Sequence, residues 1–526
     1  LVGSEMCIRD RLMTDGYKTG HHQQYPEGTT LVYSNFTPRA NKHAPKGCDK
    51  VVSFGQQMIM MQIHEAFQNE FFSKPKDEVC GEMKRELSLY LGTDYDVTHF
   101  EKLHDLGYLP IHVKAISEGS LVPIKIPVLT IFNTHPDFYW VTNYLETIIS
   151  NLLWKPMTSA TIAYQYRKVL TKWQEKTDKE KSWFIDWQAH DFSMRGLDSV
   201  EVCISSGLGH ATSFMGSDSL PVIYGARKFY GETGPVVGSV NATEHSVMCA
   251  GSKDDEVGTF RRLLETYPKG ILSVVSDTWD LWKVCTSHVV TLKDLIISRD
   301  GKLVIRPDSG NPADIICGLN TVEVHEYDTH NESHPSWKGV IELLWDVFGG
   351  TVNDQGYKVL DSHIGAIYGD SITLDRAEEI CRRLESKGFA STNIVFGVGS
   401  FTYQYNTRDT FGFAMKATYV ELLEENDVFH DVNRDPVRMK VPVGRQIFKD
   451  PITDDGTKKS ATGLLKVVRT MAPDSYGKLQ NSGYALVDKV TWKEEAESEL
   501  KTIYLNGEFT KKVTLSEIRE KLKQNV

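Results

Sequence analysis

Leu303 to Pro312 reads LVIRPDSGNP: an apolar run that stops at an arginine and an aspartate, turns through Ser309 and Gly310, and restarts at Asn311-Pro312. Leu303, Val304 and Ile305 suit a buried strand. Asn311 is a good helix N-cap and Pro312 a good first helical residue, so the predicted order is strand, charged loop, helix. In α/β folds that juncture, at the carboxyl end of a strand, is where ligands bind. The residues alone leave two readings of Arg306 and Asp308, a ligand-binding pair or an ion pair closing over the strand end.

The same pattern occurs in three neighbouring units. ILSVVS ends at Asp277, HIGAIY ends at Gly369 and Asp370, and NIVF ends at Gly397, Val398 and Gly399. From about Trp183 onward short apolar runs alternate with polar loops and helices, the βα signature. A barrel or doubly wound sheet with its site on one face explains four charged or glycine-bearing strand ends in succession. Earlier in the chain, Val32 to Phe36 reads as a strand ending near Arg39. The methionines between Phe54 and Phe72 recur at helical spacing and read as core. Leu121 to Phe132 is β-rich but carries prolines, which predicts an edge or irregular strand. Helices are expected over 137–154 and again after Ser159 as a cap, and the chain returns to mixed α+β before a last helix with a Thr514 to Glu517 capping box.

Composition narrows the class of function. Of 526 residues, 40% are apolar and 25% charged, as in ordinary globular proteins. Lys and Arg total 59 against 70 Asp and Glu, a net charge of -11. No global basic surface recommends nucleic acid, so any anion must be met by local clusters. The eight cysteines show no CxxC or zinc spacing and read as reduced thiols of a cytoplasmic protein. No apolar run approaches the ~20 residues that span a bilayer. Residues 1–12, LVGSEMCIRDRL, lack the apolar region of a signal peptide and read as an extraneous lead, with the natural chain from about Met13.

Several residues can carry chemistry. Asp277, Asp308 and Asp370 are hard oxygen donors suited to a hydroxylated ligand or a hydrated Mg²⁺. Gly397 and Gly399 allow close approach of backbone to phosphate. Arg39, Arg408, Lys416, Lys449 and Lys458 are cations for phosphate, or solvated surface charges. His245 follows Glu244 in NATEHS, where a carboxylate beside an imidazole suits a base or a phosphoryl acceptor. HDFSMRG puts Phe192 near Arg195, a face for a flat heteroaromatic ring or a packed core phenylalanine.

MTDGYK, HDFSMRG, MGSD (Met215–Asp218), TEHS, SVVSD, IRPDSGNP, YGD, FGVGS, NTRD and the KDP of Lys449–Pro451 stand in an order that resembles the nicotinamide phosphoribosyltransferase family of type II phosphoribosyltransferases. The resemblance runs from about Thr14 to the last helix. It implies an irregular α/β barrel with a second mixed α+β domain: 13–40 and 180–408 would form the barrel with the active site, 41–179 and 409–526 the other domain. It also implies a homodimer with active sites at the subunit interface, acting on nicotinamide, phosphoribosyl pyrophosphate and ATP, with Mg²⁺, in the salvage of NAD. Phe192 and the partner subunit's Tyr17 would sandwich the pyridine ring, with Arg195 nearby. Asp218 would accept from the carboxamide and Arg306 would orient ring and ribose. Asp308, Gly369 and Asp370 would hold ribose hydroxyls or metal, Asp277 and Asp308 being the metal candidates. Arg39, Arg408, Lys416, Lys449, Lys458, Gly399 and Ser400 would hold phosphate. His245, with Glu244 beside it, matches the histidine that ATP phosphorylates, and Ser239, Ser273 and Asp15 complete the candidate set. Ser193 and Met194 depart from the Gly-Tyr common in animal members, and Ser400 stands where a third glycine is usual. The rival readings are a nicotinate phosphoribosyltransferase, whose acid substrate Asp218 would repel, and a catalytically silent barrel.

Overall fold

The computed structural model describes residues 11–319, 334–369, 371–428, 437–449, 452, 461–473 and 479–525. It divides into two compact units, 159–228 with 232–406 and 519–526, and 1–158 with 229–231 and 407–518.

The first unit is built on parallel strands: β1 Ala189–Asp191, β2 Gly216–Ser217, β3 Asn241–Ala242, β4 Lys269–Val275, β5 Asp300–Arg306, β6 Ile364–Tyr368 and β7 Ile394–Val398. They are ordered β2-β1-β7-β6-β5-β4-β3. A parallel bridge between Gly216 in β2 and Gly238, just ahead of β3, links the two edges. The sheet therefore curls round into an irregular barrel in which neighbours in sequence are neighbours in space.

Strand β5 shows why the quoted stretch folds as it does. Leu303 and Ile305 are fully buried among Ile316, Ile341 and Ile380 of the covering helices. The alternate residues Lys302, Val304 and Arg306 line the lumen, as a period-two pleat requires. Asn311 then accepts from the amides of Ala313 (2.9 Å) and Asp314 (3.4 Å), and the helix Pro312–Cys317 starts with proline in its first turn. All four strands expected at 271–276, 302–305, 363–368 and 393–396 are present.

The second unit carries a seven-stranded sheet in the order Val437–Gln446, Phe413–Val428, Thr29–Pro38, Leu129–Asn133, Ile111–Ala115, Lys501–Leu505, Glu508–Phe509. Four expectations change here. Thr29–Pro38, assigned to the barrel from sequence, pairs antiparallel with Phe413–Val428 and with Leu129–Asn133. Residues 13–40 thus belong with this sheet. Leu129–Asn133 is an internal strand, because Pro123 and Pro127 fall before it and leave its own amides free to pair. A continuous helix, Tyr139–Thr177, runs through Pro156, with Leu153, Met157 and Ala160 all fully buried. Ser159, the expected cap, instead hydrogen-bonds the Ser206 hydroxyl at 2.9 Å. Arg11, assigned to the lead, is buried, donates to the Glu70 carbonyl at 2.7 Å and pairs with Glu82. The capping box forms as read: Thr514 N donates to Glu517 Oε2 at 2.8 Å and Glu517 N to Thr514 Oγ1 at 3.1 Å. Among the described residues no helix is long and apolar enough to cross a membrane.

Candidate active site

The carboxyl ends of β1, β2 and β5 bring together a ring-binding group. Phe192 follows β1 directly, its ring centroid 4.6 Å from that of His190. The Arg306 guanidinium lies 5.9 Å from the Phe192 centroid. Arg306, not Arg195, is thus the cation against this aromatic face, while Arg195 points to solvent. Asp218, just beyond β2, takes hydrogen bonds from His190 Nε2 at 2.8 Å and from the Ser239 hydroxyl. Burial pushes the Asp218 carboxyl up, but the His190 and Ser239 hydrogen bonds and the positive field of His190 and Arg306 outweigh it, leaving the pKa below the ordinary aspartate range. The site thus holds a fixed carboxylate beside an aromatic face. A side chain on Gly216 would put its Cβ 2.8 Å from His190 Nδ1, so glycine in β2 lets the imidazole reach Asp218.

At the ends of β4 and β5 two acidic residues, Asp277 and Asp308, converge. Asp277 Oδ2 accepts from the amides of Asp308 (2.8 Å) and Ser309 (2.7 Å) and from the Ser309 hydroxyl (2.5 Å). Its Oδ1 is buried with no hydrogen-bond partner among the described residues. His245 Nε2 lies 3.9 Å from that oxygen and 3.8 Å from Asp308 Oδ2. Its Nδ1 meets the Thr278 hydroxyl at 3.1 Å. Glu244, expected beside this imidazole, accepts from Ser246 instead; the loop after β4, through Thr278, positions the ring. Gly369 is required by close approach: a Cβ there would sit 2.6 Å from Asp308 Oδ1 and 3.2 Å from Arg306 Nε. Asp370 lies outside the described residues.

In the sheet unit, Arg39, Arg408, Lys416 and Lys449 share a field. Burial and then the positive charges of Arg39, Lys449 and Arg408 depress the Lys416 pKa, opposed by Glu146. Lysines crowded in this way gain from a polyanion. Lys458 lies outside the described residues. Tyr17 is 68% exposed, and Asp15 accepts from Thr147 at 2.7 Å. Both belong to this unit.

A cavity of about 500 Å³ occupies the barrel lumen, reached by Phe192, Asp218, Ser239, Ser273 and Arg306. The sequence model of the nicotinate phosphoribosyltransferase family matches residues 187–507. That of the nicotinamide phosphoribosyltransferase N-terminal domain matches residues 11–80. The chain is 46% identical over 524 residues to a nicotinamide phosphoribosyltransferase of Acinetobacter baylyi, covering 97% of this chain and 96% of that protein. This chain belongs to the nicotinamide phosphoribosyltransferase family. The homologous enzyme of Mycoplasma pneumoniae is 34% identical, over 82% of this chain and 93% of its own. In fold, the chain resembles human nicotinic acid phosphoribosyltransferase with a TM-score of 0.51 at 15% identity, covering 97% of this chain and 93% of that one.

Against this family pattern, the sequence departures have local consequences. Ser193 N donates to Asp191 Oδ1 at 2.9 Å, which fixes the turn carrying Phe192, and Met194 is 38% exposed. Ser400, first residue of the helix Ser400–Gln404 after Gly399, packs so closely on Gly196 that a Cβ there would lie 2.2 Å from its hydroxyl. Sequence reasoning quoted His190 within HDFSMRG but gave it no role, and missed Thr278. Their signals were present: His190 precedes the end of β1 and alternates with Phe192, and Thr278 follows the Asp277 strand end. Neither was informative until β1 was known to neighbour β2, and β3 to neighbour β4.

Proposed function

We propose that this protein joins nicotinamide to phosphoribosyl pyrophosphate, giving nicotinamide mononucleotide and pyrophosphate. The observation that carries this reading is the Asp218 carboxylate, held by His190 and Ser239 beside Phe192 and Arg306. A carboxylate accepts from a carboxamide N–H and repels a pyridine carboxylate, which favours the amide base over the acid.

The reaction forms a bond from the pyridine nitrogen to the anomeric carbon as the bond from that carbon to pyrophosphate breaks. Positive charge grows on the ribose and negative charge on the leaving group. The protein's work is positioning and charge stabilisation. Phe192 would stack on the ring, with the partner subunit's Tyr17 on its other face in a homodimer. Arg306 would fix the ring and ribose end, Asp308 the ribose hydroxyls, and the Arg39, Arg408, Lys416 and Lys449 cations phosphate.

The buried Asp277 Oδ1, without a hydrogen-bond partner among the described residues, and the neighbouring Asp308 carboxylate are hard donors that fit Mg²⁺, which protein sites typically hold through one or two carboxylates and substrate phosphates. Asp277 and Asp308 would hold it, and when bound it neutralises charge on pyrophosphate. His245 would accept a phosphoryl group from ATP. Its Nδ1 is engaged by Thr278 while its Nε2 remains open toward the acidic pair.

The test is incubation of the protein with phosphoribosyl pyrophosphate and either nicotinamide or nicotinate, with product detection. The mononucleotide should form from nicotinamide far faster than from nicotinate; preference for nicotinate, or no product from either base, refutes the reading. His245→Ala should keep slow ATP-independent synthesis and lose both ATP stimulation and an acid-labile phosphoenzyme. A variant that still forms the phosphoenzyme removes His245 from that role.

A further inference from the structure

Three residues around Tyr17 are clamped to one turn of the helix Tyr139–Thr177. The Thr14 hydroxyl donates to the Tyr144 carbonyl at 2.8 Å, and the Thr147 hydroxyl donates to Asp15 at 2.7 Å. Lys18 Nζ donates to the Asn143 carbonyl at 3.0 Å and to Glu146 Oε2 at 2.6 Å. Lys18 also reaches the tyrosine: its ammonium lies 5.9 Å from the Tyr17 ring centroid, the outer edge of a cation–π contact. Lys18 and Glu146 are buried while the Tyr17 ring stands out to solvent. Glu146 Oε1 accepts from the Ser34 hydroxyl at 2.8 Å, so the strand Thr29–Pro38 fixes the carboxylate from its other side. In that strand Asn35 sits opposite Lys416 and donates to its carbonyl at 3.2 Å. One carboxylate therefore ties the turn that presents Tyr17 to the strand pair that presents Lys416.

Apolar side chains would hold a surface turn at lower cost. Taking two charges out of water is expensive, and replacing a buried ion pair by hydrophobic residues of similar volume commonly loses no stability. What the pair supplies is direction, because a lysine bonded to both a carbonyl and a carboxylate fixes the rotation of the turn that bears the ring. We infer that Lys18 and Glu146 are positioning residues for Tyr17, setting the face that its ring offers to a pyridine base held by the other subunit.

This inference rests on the reaction proposed above and on Tyr17 meeting the base. Steady-state kinetics of the full chain, with nicotinamide varied at saturating phosphoribosyl pyrophosphate, compare the unmodified protein with the paired variant Lys18→Met/Glu146→Gln, which removes both charges together and leaves neither buried without the other. KM for nicotinamide should rise about tenfold at nearly unchanged kcat, within the range that weakening one ring stack gives. Added to Tyr17→Ala, the same two substitutions should raise KM no further, because the ring they position is gone; a pair that merely supports the fold would act alike in both backgrounds. Unchanged KM in the paired variant, or the same rise on top of Tyr17→Ala, overturns the inference. Should the paired variant fail to fold, Ser34→Ala, which releases the outer oxygen of Glu146 and keeps the ion pair, decides it by the same two comparisons. Absence of nicotinamide mononucleotide from the unmodified protein overturns the reaction and this inference with it, whereas an active protein whose KM ignores these changes overturns the inference alone.

Discussion

Replacing Asp218 by serine removes the only group proposed to distinguish the amide from the acid base. At about 4 Å, two unit negative charges repel by about 1 kcal/mol in bulk water and about 4 kcal/mol at an effective dielectric of 20. The Asp218 side chain is 41% exposed, which places the repulsion toward the lower part of that range, at about 2 kcal/mol. With 1.36 kcal/mol per factor of ten, relief of the repulsion alone raises nicotinate use relative to nicotinamide about 30-fold. Loss of the carboxamide acceptor adds about 1 kcal/mol against nicotinamide. The assay is kcat/KM for both bases in both proteins, at fixed phosphoribosyl pyrophosphate, with melting temperatures to confirm folding. Serine cannot hold His190 as Asp218 does, so Asp218→Asn, which keeps the size, is the companion variant. If both values of kcat/KM fall in the same proportion in both variants, Asp218 does not read the base and the argument from its geometry is wrong.

Gly369→Ala should lower kcat/KM by about 5- to 150-fold, corresponding to the 1–3 kcal/mol cost of overpacking, because its Cβ would press on Asp308 and Arg306; an unaltered rate constant with a normal fold would show that both side chains swing aside freely. Glu118 is buried, accepting from Gln57 N at 2.8 Å and from the Tyr230 hydroxyl at 3.0 Å, and burial pushes its pKa up from 4.5 to about 7. The folded state then binds more protons than the unfolded state between those values, so stability falls as pH rises through about 4.5 to 7, by about 3 kcal/mol at most. Glu118→Gln should flatten that fall and raise the melting temperature at pH 8; the same pH dependence in wild type and variant would remove Glu118 as its source.

Much of the barrel and its chemistry was readable from local order along the chain. A buried strand announces itself by consecutive branched side chains, and its end by the first charge. The IRPDSGNP, SVVSD and YGD stretches therefore marked Arg306, Asp308, Asp277 and Gly369 before any contact was known. The cap at Asn311 and the box at Thr514 and Glu517 were equally visible, since each is a hydrogen-bond pattern closed within four residues.

The rest needed contacts between distant residues. Sequence placed Arg195 against Phe192 because they are three apart, whereas the barrel brings Arg306 there from four strands later. It paired Glu244 with His245 as neighbours, whereas Thr278 reaches the imidazole from the loop after β4. Residues 13–40 were given to the barrel, but hydrogen bonding assigns Thr29–Pro38 to the antiparallel sheet. The physical reason is common to all three. Periodicity and capping depend on backbone geometry over a few residues, so the sequence by itself determined which segments are strands and where they end in charge. Partner choice depends on which strand ends converge when the sheet curls, and only the tertiary structure decided that Asp218 is held by His190 and Ser239.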